Sequence, residues 1–338
     1  MPEEPSRPAV TVLGAGSWGT ALAILLARNG VAAKLWDRDE DHIEQMDRNR
    51  ANQRYLPGIE LPTLVAPLAD LPSALEHTDY VLIVVPSSGF RSVLQRVSTQ
   101  VGSSFNLIWA SKGLEPGTGK FLHQVVDEEL PDHRSIAVLS GPSFAKEVAR
   151  DLPTAVTIAS KNTEYAKSVA ALFHCPRFRT YTSEDVLGVE LGGSVKNVLA
   201  IAAGISDGLG YGANARAALI TRGLAEIMRL GTRLGGHRET FMGLAGVGDL
   251  VLTCTDDQSR NRRLGLALGR GMALEQAVTD IGQAVEGLHT AKEVDELARS
   301  NQVDMPITQQ VRRVLYDGEE AAAAVDALLS REPKAESL

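Results

Sequence analysis

The sequence predicts an α/β fold, a doubly wound and mainly parallel sheet, followed by an all-α C-terminal domain. Three observations carry this expectation. Short β-rich apolar runs alternate with helix-like stretches through the first half of the chain. Beyond about residue 183 those runs stop, and helical patterns broken by glycines take over. A glycine-rich turn, Gly14-Ala15-Gly16-Ser17-Trp18-Gly19, joins the first apolar run to the first helical one.

Taken in order, residues 9–13 read as a buried strand and residues 20–29 as a helix rich in Ala and Leu. Residues 31–36, 80–85, 107–110 and 136–139 read as further strands, most followed by a turn and a helix-like stretch. Residues 154–159 and 177–181 would extend the sheet at its edge. Helices are expected over 186–204, 214–234, 263–269, 286–299, 307–316 and 319–329. Thr182 and Asp185 stand at capping-box spacing before the first of these. The switch from period 2 to period 3.6 divides the chain into domains 1–182 and 183–338, with a frayed polar end at 332–338.

A length of 338 residues fits two domains. With 44% hydrophobic and 22% charged residues the composition is globular, which excludes disorder, collagen and coiled-coil arrays. Lys+Arg 34 against Asp+Glu 42 gives a net charge of -8, which argues against nucleic-acid or anionic-membrane binding. An anionic small substrate would then need a local basic pocket. Cys175 and Cys254 form no Cys-x-x-Cys, so no disulfide framework is expected and a reducing cytoplasm fits. The opening Met1-Pro2-Glu3-Glu4-Pro5 lacks the basic and apolar regions of a signal peptide. No apolar run approaches the ~18 residues that span a bilayer. The seven histidines show no metal-ligand spacing.

The glycine turn follows a strand and opens a helix, the context of a dinucleotide fingerprint in a Rossmann domain. Gly14 permits the tight turn, Gly16 lets a pyrophosphate approach, and Gly19 lets helix pack on strand. The helix N-terminus offers free N–H groups and a positive dipole end. The next strand ends at Asp37 and Arg38, where the ribose 2′ position is read. Asp37 would accept from a 2′-hydroxyl and Arg38 would pair with a 2′-phosphate, so the choice between NAD and NADP stays open.

Lys112 follows the strand at 107–110, at the sheet edge where ligands sit, although an isolated loop lysine is usually just solvated. Ser140-Gly141-Pro142-Ser143-Phe144-Ala145 follows the next strand and nearly matches a nucleophile elbow, with Ala145 in place of the last Gly. On a hydrolase reading Ser143 would be the nucleophile, with His174, His237 or His289 as base; the dinucleotide fingerprint argues against it.

Adjacent Gly192 and Gly193 inside a helix cost about 1 kcal/mol each relative to Ala, so something must approach the backbone there. Lys196 emerges beside that gap, and burial near Lys112 would lower its pKa from ~10.4 toward ~7–8, an acid/base range. The plainer reading is a surface lysine on a weakened helix. Asp249 is a candidate ion-pair partner for Lys196. Together with Thr253, Ser259, Arg260 and Asn261 it forms a cluster of the kind a phosphate monoester needs, or else merely an arginine-rich helix start.

With these residues in view, the chain resembles the bacterial-type NAD(P)-dependent glycerol-3-phosphate dehydrogenase family. The resemblance rests on residues 14–19, Ser111-Lys112-Gly113-Leu114, 140–146, 192–197, 210–216 and 246–263, and runs from about residue 9 to 329. It implies reversible reduction of dihydroxyacetone phosphate to sn-glycerol 3-phosphate, feeding glycerophospholipid synthesis, in a homodimer. The cysteine usage and apolar-run lengths above add the expectation of a cytoplasmic protein without stable membrane insertion. By similarity, Lys196 exchanges the proton with the C2 oxygen, and Lys112 touches substrate and cofactor. Asn197 and Asp249 stand with these lysines in the catalytic set. Gly141, Ser143, Asp249, Ser259, Arg260 and Asn261 would line the substrate site. Ser17, Trp18, Arg38, Ala145, Arg260, Ala284 and Glu286 would join the glycines at the nucleotide. Ser143 stands where the family often has Thr, a change that keeps the hydroxyl. The rival readings are a β-hydroxyacid or phosphogluconate-type dehydrogenase, which prefers carboxylates, and a nucleotide-sensing regulator without turnover.

Overall fold

The computed structural model describes residues 8–102, 105–131 and 136–332. The expectations for residues 1–5 and 333–338 lie outside the described residues. The chain forms two compact units that no single cut separates: one holds the residues up to Ser111 and His123–Val186, the other Lys112–Leu122 and the residues from Leu187 on.

The first unit is one eight-stranded sheet: β1 (Ala9–Leu13), β2 (Ala32–Trp36), β3 (Val65–Leu68), β4 (Tyr80–Ile83), β5 (Asn106–Trp109), β6 (Ile136–Ser140), β7 (Thr154–Ala159) and β8 (Phe178–Ser183). The strand order is β3-β2-β1-β4-β5-β6-β7-β8, parallel throughout except for the antiparallel β6–β7 pair. The first six strands follow the doubly wound dinucleotide-binding order, whose switch point lies between β1 and β4. Val10, Val12, Leu35, Leu82 and Ile108 are buried in its core, as strands covered on both faces require. Its helices are α1 (Ser17–Arg28), α2 (Glu40–Asn49), α3 (Leu71–Leu75), α4 (Ser87–Val101), α5 (Leu122–Glu129), α6 (Ala145–Ala149) and α7 (Thr163–Phe173).

Strand β3 is absent from the sequence reading, so Lys112 follows the fifth strand rather than the fourth. The run Val65-Ala66-Pro67-Leu68 is short and contains a proline, which sheets tolerate at an edge, and β3 is an edge strand. The capping box is corrected too: Thr182 stays in β8, and it is the Ser183 hydroxyl that accepts the Asp185 N–H at 3.1 Å.

The second unit is helical: α8 (Val186–Gly208), α9 (Gly212–Arg233), α10 (Arg238–Phe241), a π-helical turn (Leu244–Gly248), α11 (Asp249–Thr255), α12 (Arg260–Gly269), α13 (Leu274–Ile281), α14 (Glu286–Ser300), α15 (Pro306–Tyr316) and α16 (Ala321–Leu329). Its apolar core draws on α8 (Val195, Leu199, Ala203), on α9 (Ile227) and, from the loop after β5, on Leu114 and Phe121. Helix α8 is the one helix among the described residues long and apolar enough to cross a membrane, and 94% of its apolar window is buried. Glu190 and Lys196 interrupt its apolar sequence, yet both are themselves buried.

Candidate active site

At the switch point each glycine of the turn has its own environment. Gly14 has φ +116, and a Cβ there would lie 3.0 Å from the Val84 carbonyl carbon. At Gly19 a Cβ would meet the Gly14 oxygen at 1.9 Å, so the helix packs on the turn itself. At Gly16 there is nothing within 4 Å: that face is left clear. Gly16 N-caps α1 without a side-chain hydrogen bond, and no acidic residue occupies the first turn, which leaves the positive helix end open to an anion.

Polar side chains behind the turn, which no sequence motif signalled, hold it in place. Asn52 Nδ2 donates to the Ala15 carbonyl at 2.9 Å and to Thr20 Oγ1 at 2.8 Å, and His42 Nε2 lies 3.4 Å from the same carbonyl. The Asp37 carboxylate accepts from Ala15 N at 2.9 Å and Asp39 N at 3.2 Å, so it fastens the turn. Arg38 is exposed and has no hydrogen bond or ion pair among the described residues. Trp18 Nε1 is a buried donor without a hydrogen-bond partner among the described residues. The clear face at Gly16, the open helix end and this orphaned N–H fit a dinucleotide held by Gly14, Gly16, Ser17, Trp18 and Gly19.

In the same unit Gly141 and Ser143 lie between β6 and α6, whose first residue is Ala145. Ser143 Oγ donates to the Gly141 carbonyl at 3.0 Å. No hydrogen bond joins it to a histidine among the described residues, so the Ser–His pair that a hydrolase reading calls for is not formed here.

The helical unit brings together residues far apart in sequence. Asp249 starts α11 and is 1% exposed; its Oδ1 accepts from Lys196 Nζ at 2.6 Å and its Oδ2 from Lys112 Nζ at 2.7 Å. Lys196 also donates to Thr253 Oγ1 at 2.9 Å, and that hydroxyl donates to the Asp249 carbonyl at 2.6 Å. Thr253 sits one helical turn after Asp249, an i,i+4 spacing that was readable in the sequence. Burial pulls the Lys196 ammonium down to about 8; Asp249 opposes this and Lys112 adds to it. Burial works against the Asp249 carboxylate, but the two ammonium groups outweigh it and hold its pKa below the ordinary range. The three ionised groups leave one net positive charge in a mostly dry setting.

The backbone that approaches the Gly192 gap belongs to the chain itself: a Cβ on Gly192 would meet the Ala245 carbonyl oxygen at 2.4 Å. Ala245 lies in the π-helical turn that delivers Asp249, so this glycine sets the spacing between the Lys196 helix and its counter-ion.

Beside the cluster, Asn261 Nδ2 donates to Asn197 Oδ1 at 2.9 Å, and Asn261 Oδ1 accepts from Gly287 N at 2.9 Å. Ser259 N-caps α12, accepting from Arg262 N at 3.2 Å. The N–H groups of Arg260 and Asn261, first in that helix, have no intrahelical acceptor. Arg260 has no hydrogen bond or ion pair among the described residues, and burial lowers its pKa while Glu286 raises it. Glu286 begins α14, and Ala284 is exposed just before it. Among the described residues no group of His, Cys, Asp and Glu could hold a metal ion.

Fold and site together place the chain among Rossmann-type oxidoreductases whose second unit is helical. Two family models narrow the class: NAD-dependent glycerol-3-phosphate dehydrogenase N-terminus matches residues 9–166, and its C-terminus counterpart matches residues 185–326. The glycerol-3-phosphate dehydrogenase [NAD(P)+] of Thioalkalivibrio sulfidiphilus is 59% identical, over 98% of this chain and 99% of its own. A crystal structure of glycerol-3-phosphate dehydrogenase from Coxiella burnetii matches with TM-score 0.93 and 49% identity, over 96% of this chain and 99% of that one. The yeast enzyme of the same name matches at TM-score 0.80 and 30% identity, over 95% and 99%. The chain belongs to the NAD-dependent glycerol-3-phosphate dehydrogenase family.

Proposed function

We propose that the chain interconverts dihydroxyacetone phosphate and sn-glycerol 3-phosphate with NAD or NADP, and that Lys196 carries the proton. The observation that carries this reading is the buried Lys112–Asp249–Lys196 cluster, with Nζ–Oδ distances of 2.7 and 2.6 Å. A bound nicotinamide dinucleotide supplies the hydride in reduction and accepts it in oxidation.

In reduction, the Lys196 ammonium donates a proton to the C2 oxygen as negative charge develops there. The neutral amine that results stays hydrogen-bonded to the Thr253 hydroxyl and recovers its proton from solvent. Asp249 orients the amine and prevents two lysines from repelling each other apart. Lys112 keeps the site net positive, which favours both an anionic substrate and an alkoxide-like transition state. A pKa of about 8 for Lys196 makes proton transfer feasible in both directions near neutrality.

Arg260, the Ser259 hydroxyl, the Asn261 amide and the first N–H groups of α12 form the phosphate clamp. A guanidinium that makes no hydrogen bond or ion pair among the described residues, beside a helix N-terminus, suits a dianionic ester. Gly141 and Ser143 complete the substrate contacts on the family resemblance, while Arg38, Ala145, Ala284 and Glu286 join the glycine turn at the nucleotide. The same reading assigns nucleotide binding to the domain 1–182 and most of substrate binding and proton transfer to 183–338, with Lys112, Gly141 and Ser143 contributed from the first span. The working form is a cytoplasmic homodimer without stable membrane insertion; the burial of α8 supports its role as a core helix.

The test is oxidation of NADPH and NADH in parallel, with dihydroxyacetone phosphate set against a panel of keto acids. Turnover of the phosphorylated ketone is expected. Preference for keto acids would move the chain to the hydroxyacid dehydrogenases, and nucleotide binding without any turnover would make it a sensor.

A further inference from the structure

The Lys112 ammonium rides on a loop, yet it meets Asp249 as closely as the helix-borne Lys196 does. A long, flexible side chain on a loop needs that loop fixed, and two buried groups outside the site do so. Ser194 is 1% exposed; its hydroxyl donates to the Glu190 carbonyl at 2.7 Å and accepts from Gly113 N at 3.1 Å. Back-bonding to the preceding turn is ordinary for a helical serine. The second bond is not: it catches the residue next to Lys112, where Gly113 has φ +118. Glu293, on α14, is 4% exposed and its Oε1 accepts from Gly117 N at 2.8 Å. It forms no ion pair among the described residues, and burying a polar side chain is costly unless it is hydrogen-bonded, so the bond to Gly117 offsets the cost of placing Glu293 there. The side chains of Leu114 and Phe121 sit in the apolar core on either side of Gly117.

We infer that Ser194 and Glu293 are positioning residues, a two-point latch that fixes the 112–122 loop and thereby holds the Lys112 ammonium on Asp249. The inference deepens the proposed function and rests on it for its kinetic readout. The charged and titratable groups facing Lys196 are Asp249 and Cys254 on α11 and Lys112 on the loop. The Cys254 thiol, pushed up to about 12 by burial, stays neutral. If Lys112 is released, Asp249 is left to Lys196 alone and a like charge withdraws, and both changes raise the pH at which Lys196 gives up its proton.

The experiment follows the pH dependence of kcat for sn-glycerol 3-phosphate oxidation, together with amide hydrogen exchange of the 112–122 segment. The wild type is compared with Ser194→Ala, Glu293→Ala and Glu293→Gln, the last of which keeps an acceptor oxygen for Gly117. In both Ala variants the rising limb should move upward by roughly half a pH unit or more. Exchange in the segment should quicken at least about tenfold, the loss of about 1.4 kcal/mol of protection. Glu293→Gln should restore both. A merely structural role would lower thermal stability without moving the limb. Ala variants with wild-type limb and wild-type exchange would overturn the latch. Should Ser194→Ala fail to fold, the Glu293 pair decides alone. Should the wild type turn over neither substrate, the functional reading fails while the exchange measurement still judges the latch.

Discussion

The two units prepare for their ligands in opposite ways. The sheet unit offers mostly backbone, three glycines and a helix end within a few consecutive residues, on a turn braced from behind by Asp37, His42 and Asn52. The helical unit offers side-chain charge, with a carboxylate buried between ammonium groups from positions 112 and 196. A nucleotide's phosphates can be met by N–H groups that cost nothing to keep in place. Proton transfer instead needs an ionisable group moved off its ordinary pKa, and that requires burial and opposing charge gathered from a distance.

The sharpest way to break this contrast is Lys196→Ala. We expect kcat to fall by roughly 10²–10⁴ while nucleotide affinity, read by fluorescence titration, stays within about twofold. Affinity lost in step with turnover would mean that the charges also build the nucleotide site. Next in size, Arg260→Ala should raise KM for dihydroxyacetone phosphate about 10–100-fold, matching about 1.5–3 kcal/mol for hydrogen bonds to a charged group; an unchanged KM would remove Arg260 from the phosphate clamp.

A pair of glycine variants tests the two units side by side. Gly192→Ala should destabilise the protein by about 1–3 kcal/mol through overpacking against Ala245. Gly16→Ala should leave the thermal midpoint unchanged and weaken nucleotide binding instead. If both behave alike in a melting experiment, the turn is not poised for a ligand.

The smallest effect is in pH. Lys196, lowered to about 8, must be protonated for reduction and neutral for oxidation. Reduction should therefore decline above about pH 8, and oxidation should decline below it, each about tenfold per unit. Rate profiles that are flat from pH 7 to 9 in both directions would take Lys196 out of the proton transfer.

Legibility in the sequence divides along the same line. Strands such as β1 and β7 are apolar runs bounded by turns and can be read directly, as can the glycine turn, because period and motif are local. The edge strand β3 hides behind Pro67, and α11 hides because glycines at 243, 246 and 248 mask a helical start. The pairing of Lys196 with Asp249 is legible, since both stand out as charges beside glycines, and the two meet at 2.6 Å. The glycine pair at 192–193 announced a close approach to the backbone, and at Gly192 the approaching group is the Ala245 carbonyl; its identity could not be read from the linear pattern. Nothing in the linear pattern pointed to Asn52, His42, Ser194 or Glu293, whose roles exist only once distant backbone N–H and C=O groups meet them.

One consequence concerns dissection. Because Leu114 and Phe121 are interior residues of the helical unit, a fragment beginning at Leu187 would carry a hole where two large side chains belong. Such a half-gene product should be a poor folder, and a chimera that trades helical halves between relatives would inherit mismatched plugs. The exchangeable module is discontinuous, and recombination that respects it has to carry residues 112–122 along.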